Sequence, residues 1–309
     1  MDGWSPQSAL FQLNFRFASI ALLCAAAGIA LGLFGTALYR RRRPAISGGQ
    51  VERHSPGHRL SHWLNAIGFI LALITGALLY LQWLPNPFGL PLVYTLHYVG
   101  AAAILVGLGG TAVHALTTGA SRHHRLLPTA ESLRRTGLHL IAYAGLVGDQ
   151  GILGFPGLQW PAAWRRAVER AVGFHGFPPE GKYLATQRVL SYPLWVLVSL
   201  AVVSTGLLKA VRYAYPLPAG VILWSTRLHD WAFYGVQVML FVHVAAVVLL
   251  RTNWPLLRSM FTGKVPLAYV RAVHGRWYEE LVREAAAREQ TAAPGPAPRP
   301  SPGGEGSAG

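Results

Sequence analysis

Two histidines, His229 and His243, stand fourteen residues apart in "LHDWAFYGVQVMLFVHVAAVVLL" (228–250), a stretch otherwise suited to lipid. Ionisable side chains inside apolar spans are rare and mark chemistry. On a helix, fourteen residues turn through about 1400°, roughly 40° short of four turns, so both imidazoles lie on nearly one face. Along the axis they are about 21 Å apart. That is far too long for one shared metal ion. It suits two ligands for two separate cofactors at two depths.

Each imidazole then needs a partner from another helix. His62, in "RLSHWLNAIGF", opens one apolar run, and His97, in "LVYTLHYVGAAAILVGLGG", lies near the start of the next. Depth pairs His97 with His229 and His62 with His243. Two bis-imidazole sites at two depths fit two b-type haems, and two axial imidazoles leave the iron no open position, which favours electron transfer over oxygen chemistry. Gly100, Gly107, Gly109 and Gly110 leave room for a flat macrocycle or a neighbouring helix. His114 is the rival inner ligand, seventeen residues beyond His97 and about 100° off its face. His54 and His58 group with Arg53 and Arg59 in a basic interface cluster, while His123, His124, His139 and His175 fall at surface or loop positions.

The elements that hold these residues follow from composition. The 309 residues are 52% hydrophobic and 13% charged, with a mean hydropathy of +0.33, too apolar for an ordinary soluble domain. Five runs reach the roughly 20 residues that cross about 30 Å of hydrocarbon; they lie near 17–39, 63–84, 92–116, 192–213 and 228–250. Open sheets leave backbone groups unsatisfied in lipid, so the expected fold class is all-α, an integral membrane bundle of five transmembrane helices. The single cysteine, Cys24, excludes an intrachain disulfide and any CxxC motif. Asp230 is the one acidic residue in the spans, which disfavours a proton or cation transporter.

The net charge of +15 is distributed unevenly. Basic residues gather at 40–43, 53–59, 122–125, 134–135, 165–170 and 251–276, whereas the loops 85–91 and 214–227 carry only Arg227. This is a positive-inside pattern, with the N-terminus outside and the C-terminus cytoplasmic, and it speaks for membrane orientation rather than nucleic-acid binding. The first span, preceded by Arg16 and followed by "RRRRP" (40–44), reads as an anchor and not a cleaved signal peptide. Three regions result: 1–50, an outer segment, first helix and basic linker; 51–290, the histidine-bearing domain with a cytoplasmic loop 117–190; and 291–309, a disordered Pro/Gly-rich tail. Within the loop, 136–148 reads as an interfacial or buried helix and 160–174 as an amphipathic surface helix. The loops "PNPFGLP" (85–91) and 214–227 are apolar enough to receive a partner.

In their order, "HSPGHRLSHW", "LHYVGAAAILVG", "GKYLATQRVLSYPLW", the paired histidines of 228–250 and "FTGKVPLAYVRAVHGRWYEE" resemble the gamma subunit of respiratory formate dehydrogenase, over roughly residues 52–283. The resemblance implies a four-helix dihaem cytochrome b core plus one extra N-terminal helix. It implies two haem b groups held by His62, His97, His229 and His243, with quinone (menaquinone or ubiquinone) as electron acceptor. It further implies partners: an iron–sulfur subunit and a molybdenum- or tungsten-containing catalytic subunit, assembled on a bacterial inner membrane. The chain would then be an electron-transfer subunit rather than the catalytic one. The family's quinone-side motif resembles "GKYNAGQ", whereas here "GKYLATQ" (181–187) has Leu184 in place of an amide and Thr186 in place of glycine. Lys182, Tyr183, Thr186 and Gln187 are the quinone candidates. The cytochrome subunit of a hydrogenase or sulfur-compound reductase, and a haem-free histidine-bearing transporter, are the alternatives.

Overall fold

The computed structural model describes residues 6–40, 46–81, 83–117 and 128–292. Arg41–Arg43, the basic run 122–125, the tail beyond 292 and the side chain of His114 lie outside the described residues. Among those described, five helices are long and apolar enough to cross a membrane. The helices run α1 (Pro6–Arg40), α2 (Pro56–Tyr80), α3 (Leu90–Thr117), α4 (Ala130–Tyr143), α5 (Ala162–Val172), α6 (Tyr192–Val211), α7 (Ala219–Val248), α8 (Trp254–Thr262), α9 (Leu267–Val273) and α10 (Gly275–Ala292). The spanning ones are α1, α2, α3, α6 and α7.

Several helices begin earlier than hydropathy alone places them, because caps and not apolarity set their starts. Ser55 caps α2, its side chain accepting the His58 N–H at 3.3 Å, and Pro56 occupies the first turn, where no donor is needed. Pro218 precedes α7, so residues 219–227, expected as loop, are helical. Thr129 and Ser132 form a reciprocal capping box that starts α4 at Ala130, ahead of the expected 136. A π turn, Gln187–Ser191, leads into α6, with the Tyr192 N–H bonded to the Gln187 carbonyl. Pro193 offers no N–H and its ring crowds the carbonyl four residues back, so the ladder widens just before it.

Glycines decide how closely the spans approach. A Cβ on Gly100 would meet the Gly68 carbonyl at 2.9 Å, so α3 lies directly on the backbone of α2. Gly107 faces Asn65 of α2, and Gly110 faces Ser61. Gly109 lies against Gly28 of α1, where an added Cβ would come within 3.1 Å of backbone. These four glycines serve helix approach, one of the two uses expected of them. Phe17 and Ala21 of α1 join Leu105 and Ala210 in a buried cluster, so α1 packs on α3 and α6. At mid-depth, Phe69, Ile104, Val198, Val236 and Met239 from α2, α3, α6 and α7 form an apolar cluster.

One end of the bundle carries a small antiparallel sheet of β1 (Ile46–Ser47), β2 (Gln50–Glu52) and β3 (Lys264–Pro266), in that order, with Val51 opposite Val265. Gly263 ends α8 at φ +80°, a conformation that favours glycine. Its carbonyl accepts the N–H groups of Arg53 and His54 at 2.8 and 3.1 Å. The chain entering α2 is thereby tied to the chain leaving α8. Val51, Val265, Val270, Trp277 and Leu281 form the core of this sheet end. On α5 no residue is buried and Trp164 is exposed, consistent with a surface helix.

Gly100→Val should force α2 and α3 apart at a cost of about 1–3 kcal/mol. The thermal midpoint of the detergent-solubilised protein is expected to fall clearly below that of Gly35→Ala, where the added methyl meets no atom within 4 Å. Equal midpoints would show that the two helices tolerate separation.

Candidate functional site: two facing imidazole pairs

The bundle brings the four histidines together two by two. His97 on α3 faces His229 on α7, ring centroids 6.4 Å apart with planes at 72°. His62 on α2 faces His243 on α7 at 6.3 Å and 54°. All four rings are half-buried. These separations lie at the long end of the range for ring contacts. Two metal–nitrogen bonds of about 2.0 Å each, plus two ring radii of about 1.1 Å, would span about 6.2 Å, close to both separations. The residues present therefore fit an iron held between each pair, as in a bis-histidine haem.

Second contacts fix the His97–His229 pair. Thr75 Oγ1 of α2 lies 3.0 Å from His97 Nδ1 and donates its own proton to the Leu71 carbonyl at 2.7 Å. Thr205 Oγ1 of α6 lies 3.1 Å from His229 Nδ1 and donates to the Ala201 carbonyl. Each threonine oxygen can then only accept from the ring, so Nδ1 carries the proton and Nε2 keeps its lone pair for a metal. His229 Nδ1 is also 3.1 Å from the Val202 carbonyl. A glycine follows each threonine. A Cβ at Gly206 would come within 3.1 Å of His229 Cε1, and one at Gly76 within 3.6 Å of His97 Cε1. The His62–His243 pair is framed by indoles: Trp63 stands edge-on to His62 at 5.4 Å and Trp195 edge-on to His243 at 6.4 Å.

The loop that leads into the π turn lies in the sheet end. The Arg53 guanidinium, 3% exposed, stands over Trp277 at 5.4 Å and Tyr183 at 6.0 Å, and the Lys182 ammonium over Trp277 at 5.9 Å. Tyr183 meets Tyr192 edge-on at 5.6 Å. His274 is fully buried; its Nδ1–H donates to the Gly181 carbonyl at 2.7 Å and its Nε2 is 3.5 Å from Arg53 Nη1. Gln187 Oε1 accepts the Leu184 N–H at 3.1 Å. Of the four quinone candidates, Lys182 and Tyr183 join the Arg53 cluster, Gln187 closes the loop and Thr186 precedes the π turn. Leu184 is 2% exposed and so belongs to the core. Burial, then the neighbouring Arg53, lowers the Lys182 ammonium to about 8. His54 is held well below the usual histidine range by burial, then by Arg53 and His58, and it lies within electrostatic reach of both Lys182 and His62.

Some expectations are corrected here. Arg53 and His54 are buried rather than interfacial, because β2 pairs with β3 and folds them beneath α9 and α10. His139 is fully buried against Tyr143 and Phe177, not at a surface. His175 is exposed, with Nδ1 2.8 Å from Glu169. Thr75 and Thr205 were not singled out from sequence. Their signal was a Thr-Gly pair placed 22 and 24 residues before the histidine it serves.

Residues 53–263 match the protein-family model described as prokaryotic cytochrome b561. Curated relatives include the formate dehydrogenase cytochrome b556(fdo) subunits of Escherichia coli K12, O6:H1 and O157:H7. Each is 23% identical over 235 residues, covering 75% of this chain and 93% of the relative. The matched family region begins after α1.

Thr205→Val removes the acceptor for His229 Nδ1–H while keeping the side chain's shape. It should weaken cofactor retention at the His97–His229 pair by about 10- to 100-fold. Absorption and electron paramagnetic resonance spectra should change for that pair alone. Unaltered cofactor content and spectra would reduce the threonine to a space-filler.

Proposed function

Since the chain belongs to the prokaryotic cytochrome b561 family, we propose that it is a dihaem membrane subunit carrying electrons across the bilayer to a quinone. Haem b, when bound, supplies a one-electron iron couple. His97 and His229 hold one haem, and His62 and His243 the other. The observation that carries the reading is the two imidazole pairs, at 6.4 and 6.3 Å, on opposite sides of one apolar cluster. The threonine contacts support it, because they leave Nε2 of His97 and His229 free to ligate.

Orientation follows from charge. Arg53, Arg59, Arg135, Arg165, Arg258 and Lys264 lie toward the sheet end, and Lys209, Arg212 and Arg227 toward the other. By the positive-inside tendency the sheet end is cytoplasmic and the N-terminus outside, in a bacterial inner membrane. Electrons enter at the His97–His229 pair from an iron–sulfur partner and leave at the His62–His243 pair. The named relatives are formate dehydrogenase subunits, which favours a molybdenum- or tungsten-containing formate dehydrogenase as the source. The quinone, menaquinone or ubiquinone, binds beside the inner pair, against the 181–187 loop. Lys182 and Tyr183 hydrogen-bond its oxygens there, with Thr186 and Gln187 shaping the same wall.

Pyridine haemochrome analysis of purified protein should give two non-covalent haems. His97→Ala and His229→Ala should each remove the outer one, and His62→Ala and His243→Ala the inner one. A single haem in the unaltered protein, or loss of the inner haem from His114→Ala but not His62→Ala, would overturn the assignment. Gln187→Leu should slow reoxidation by a quinone analogue several-fold while both haem spectra stay intact. An unchanged rate would move the quinone elsewhere.

A further inference from the structure

Quinone reduction consumes protons as well as electrons, and the sheet end contains a buried carboxyl with no part in the reading so far. Glu180 is 2% exposed and immediately precedes Gly181 and Lys182 of the quinone loop. Its Oε1 has no hydrogen-bond donor in reach. His139 Nε2 and Arg135 Nη1 both stand at 3.7 Å, beyond a direct bond and within the span of a bridging water. Arg135 instead directs its donors to the Pro179 carbonyl at 2.6 Å and to exposed Glu131 at 2.8 Å. His139 packs edge-on to Tyr143 and Phe177, and neither of its ring nitrogens has a direct hydrogen-bond partner.

The pair has one side toward water and one toward the loop. Glu131, bonded to Arg135 and to Arg276 at 3.1 Å, forms an exposed rim beside it. On the inner side, α4 packs against the π turn that begins at Gln187. The charges of Arg135, Arg188, Arg276 and Glu131 all act on the Glu180 carboxyl, and Tyr143 feels it in turn. Tyr143 donates to Asn253 at 3.2 Å. Burial lifts the carboxyl to about 7, against the pull of Arg135, Arg188 and Arg276, so both its forms are populated near neutrality. Burial holds His139 down to about 4, opposed by the Pro178 carbonyl and reinforced by Arg135, so the imidazole is neutral there.

We propose that Glu180, partnered by His139, is the proton-entry residue for the quinone pocket, taking protons from water at the Glu131–Arg276 rim and passing them inward along the 180–187 loop. The inference rests on the quinone-reducing reading above. In the net step a quinone gains two electrons and two protons, and an O–H bond forms at each former carbonyl oxygen. The electrons would be supplied singly by a haem that His62 and His243 would hold, re-reduced by way of the His97–His229 pair from the iron–sulfur partner. Each proton leaves the Glu180 carboxyl, which is re-protonated from water.

The test uses full-length, haem-loaded protein, reduced with dithionite and mixed with either a short-tailed naphthoquinone or ferricyanide. Ferricyanide takes electrons without protons. In the unaltered protein, quinone reoxidation should slow as pH rises through about 7, where Glu180 loses its proton. Glu180→Gln should lower the quinone rate at least tenfold and abolish that inflection, leaving the ferricyanide rate and both haem spectra unchanged. Glu180→Asp should restore part of the rate. If Glu180→Gln does not retain both haems, His139→Gln carries the test, with a smaller fall confined to the quinone reaction. An unchanged quinone rate and pH profile in Glu180→Gln, or equal slowing with ferricyanide, overturns the proposal. Failure of the unaltered protein to reduce the naphthoquinone, with normal ferricyanide oxidation, overturns the quinone reading itself and this inference with it.

Discussion

An imidazole that ligates a metal must turn one nitrogen to the metal and satisfy the N–H of the other, and inside a bilayer no bulk water is present to do so. That requirement organises the His97–His229 half of the bundle. A threonine on the preceding helix accepts the N–H, yet its own hydroxyl proton then needs an acceptor in an apolar setting. The backbone carbonyl four residues earlier serves, Leu71 for Thr75 and Ala201 for Thr205. The next residue must leave space for the ring, and glycine does so in both helices. The hairpins α2–α3 and α6–α7 therefore use the same local device: Thr-Gly on the first helix, histidine on the second. Because the hydrogen bond crosses between helices, the ring is held only as well as the helices are. The close approach of Gly100 to the Gly68 backbone thus helps to position the His97 ring.

The same dependence gives α1 a structural place, although it lies outside the matched family region. It covers α3 on the side away from α2, through Gly28 against Gly109 and Phe17 stacked on Tyr98 at 4.2 Å. Tyr98 follows His97 directly, and its hydroxyl bonds to buried Asn14 of α1. A helix that satisfies a polar group next to a ligand, and removes lipid from that face, holds α3 from both flanks. In the bundle α1 is part of the packing and not a tether beside it.

Depth and face were legible in the sequence because helix rise and twist are nearly invariant. His229 and His243 could be set at two levels, and the start positions of the other spans indicated which partner met which. Helix starts were less legible. Hydropathy does not register a cap such as Ser55, nor a Pro218 that begins α7 well before its most apolar run. The polar interior of the sheet end was least legible. A cluster of Arg53, His54, His58 and Arg59 reads equally as a membrane-surface patch or as buried chemistry. The difference is decided by β2 pairing with β3, a contact between segments more than two hundred residues apart. Arg53 meets His274 across 221 positions, and no local pattern announces it. His139 lies buried for a related reason: the cover over its side of α4 comes from Phe177 and Glu180, which lie in a later segment.

The distribution of polar groups along the bundle bears on how such a protein could couple electron flow to charge movement. Between the two imidazole pairs lies a cluster of Phe69, Ile104, Val198, Val236 and Met239, none of which can hold or release a proton. Electrons cross such a cluster by tunnelling, whereas protons need donors and acceptors in sequence. At the sheet end the composition reverses, with Glu180, His139, Lys182, Arg53 and His274 packed within one buried region. On the proposed function, a substrate that needs both particles is served where both would arrive, at the sheet end beside His62 and His243. On the proposed orientation, electrons released outside would then meet protons drawn from the cytoplasm.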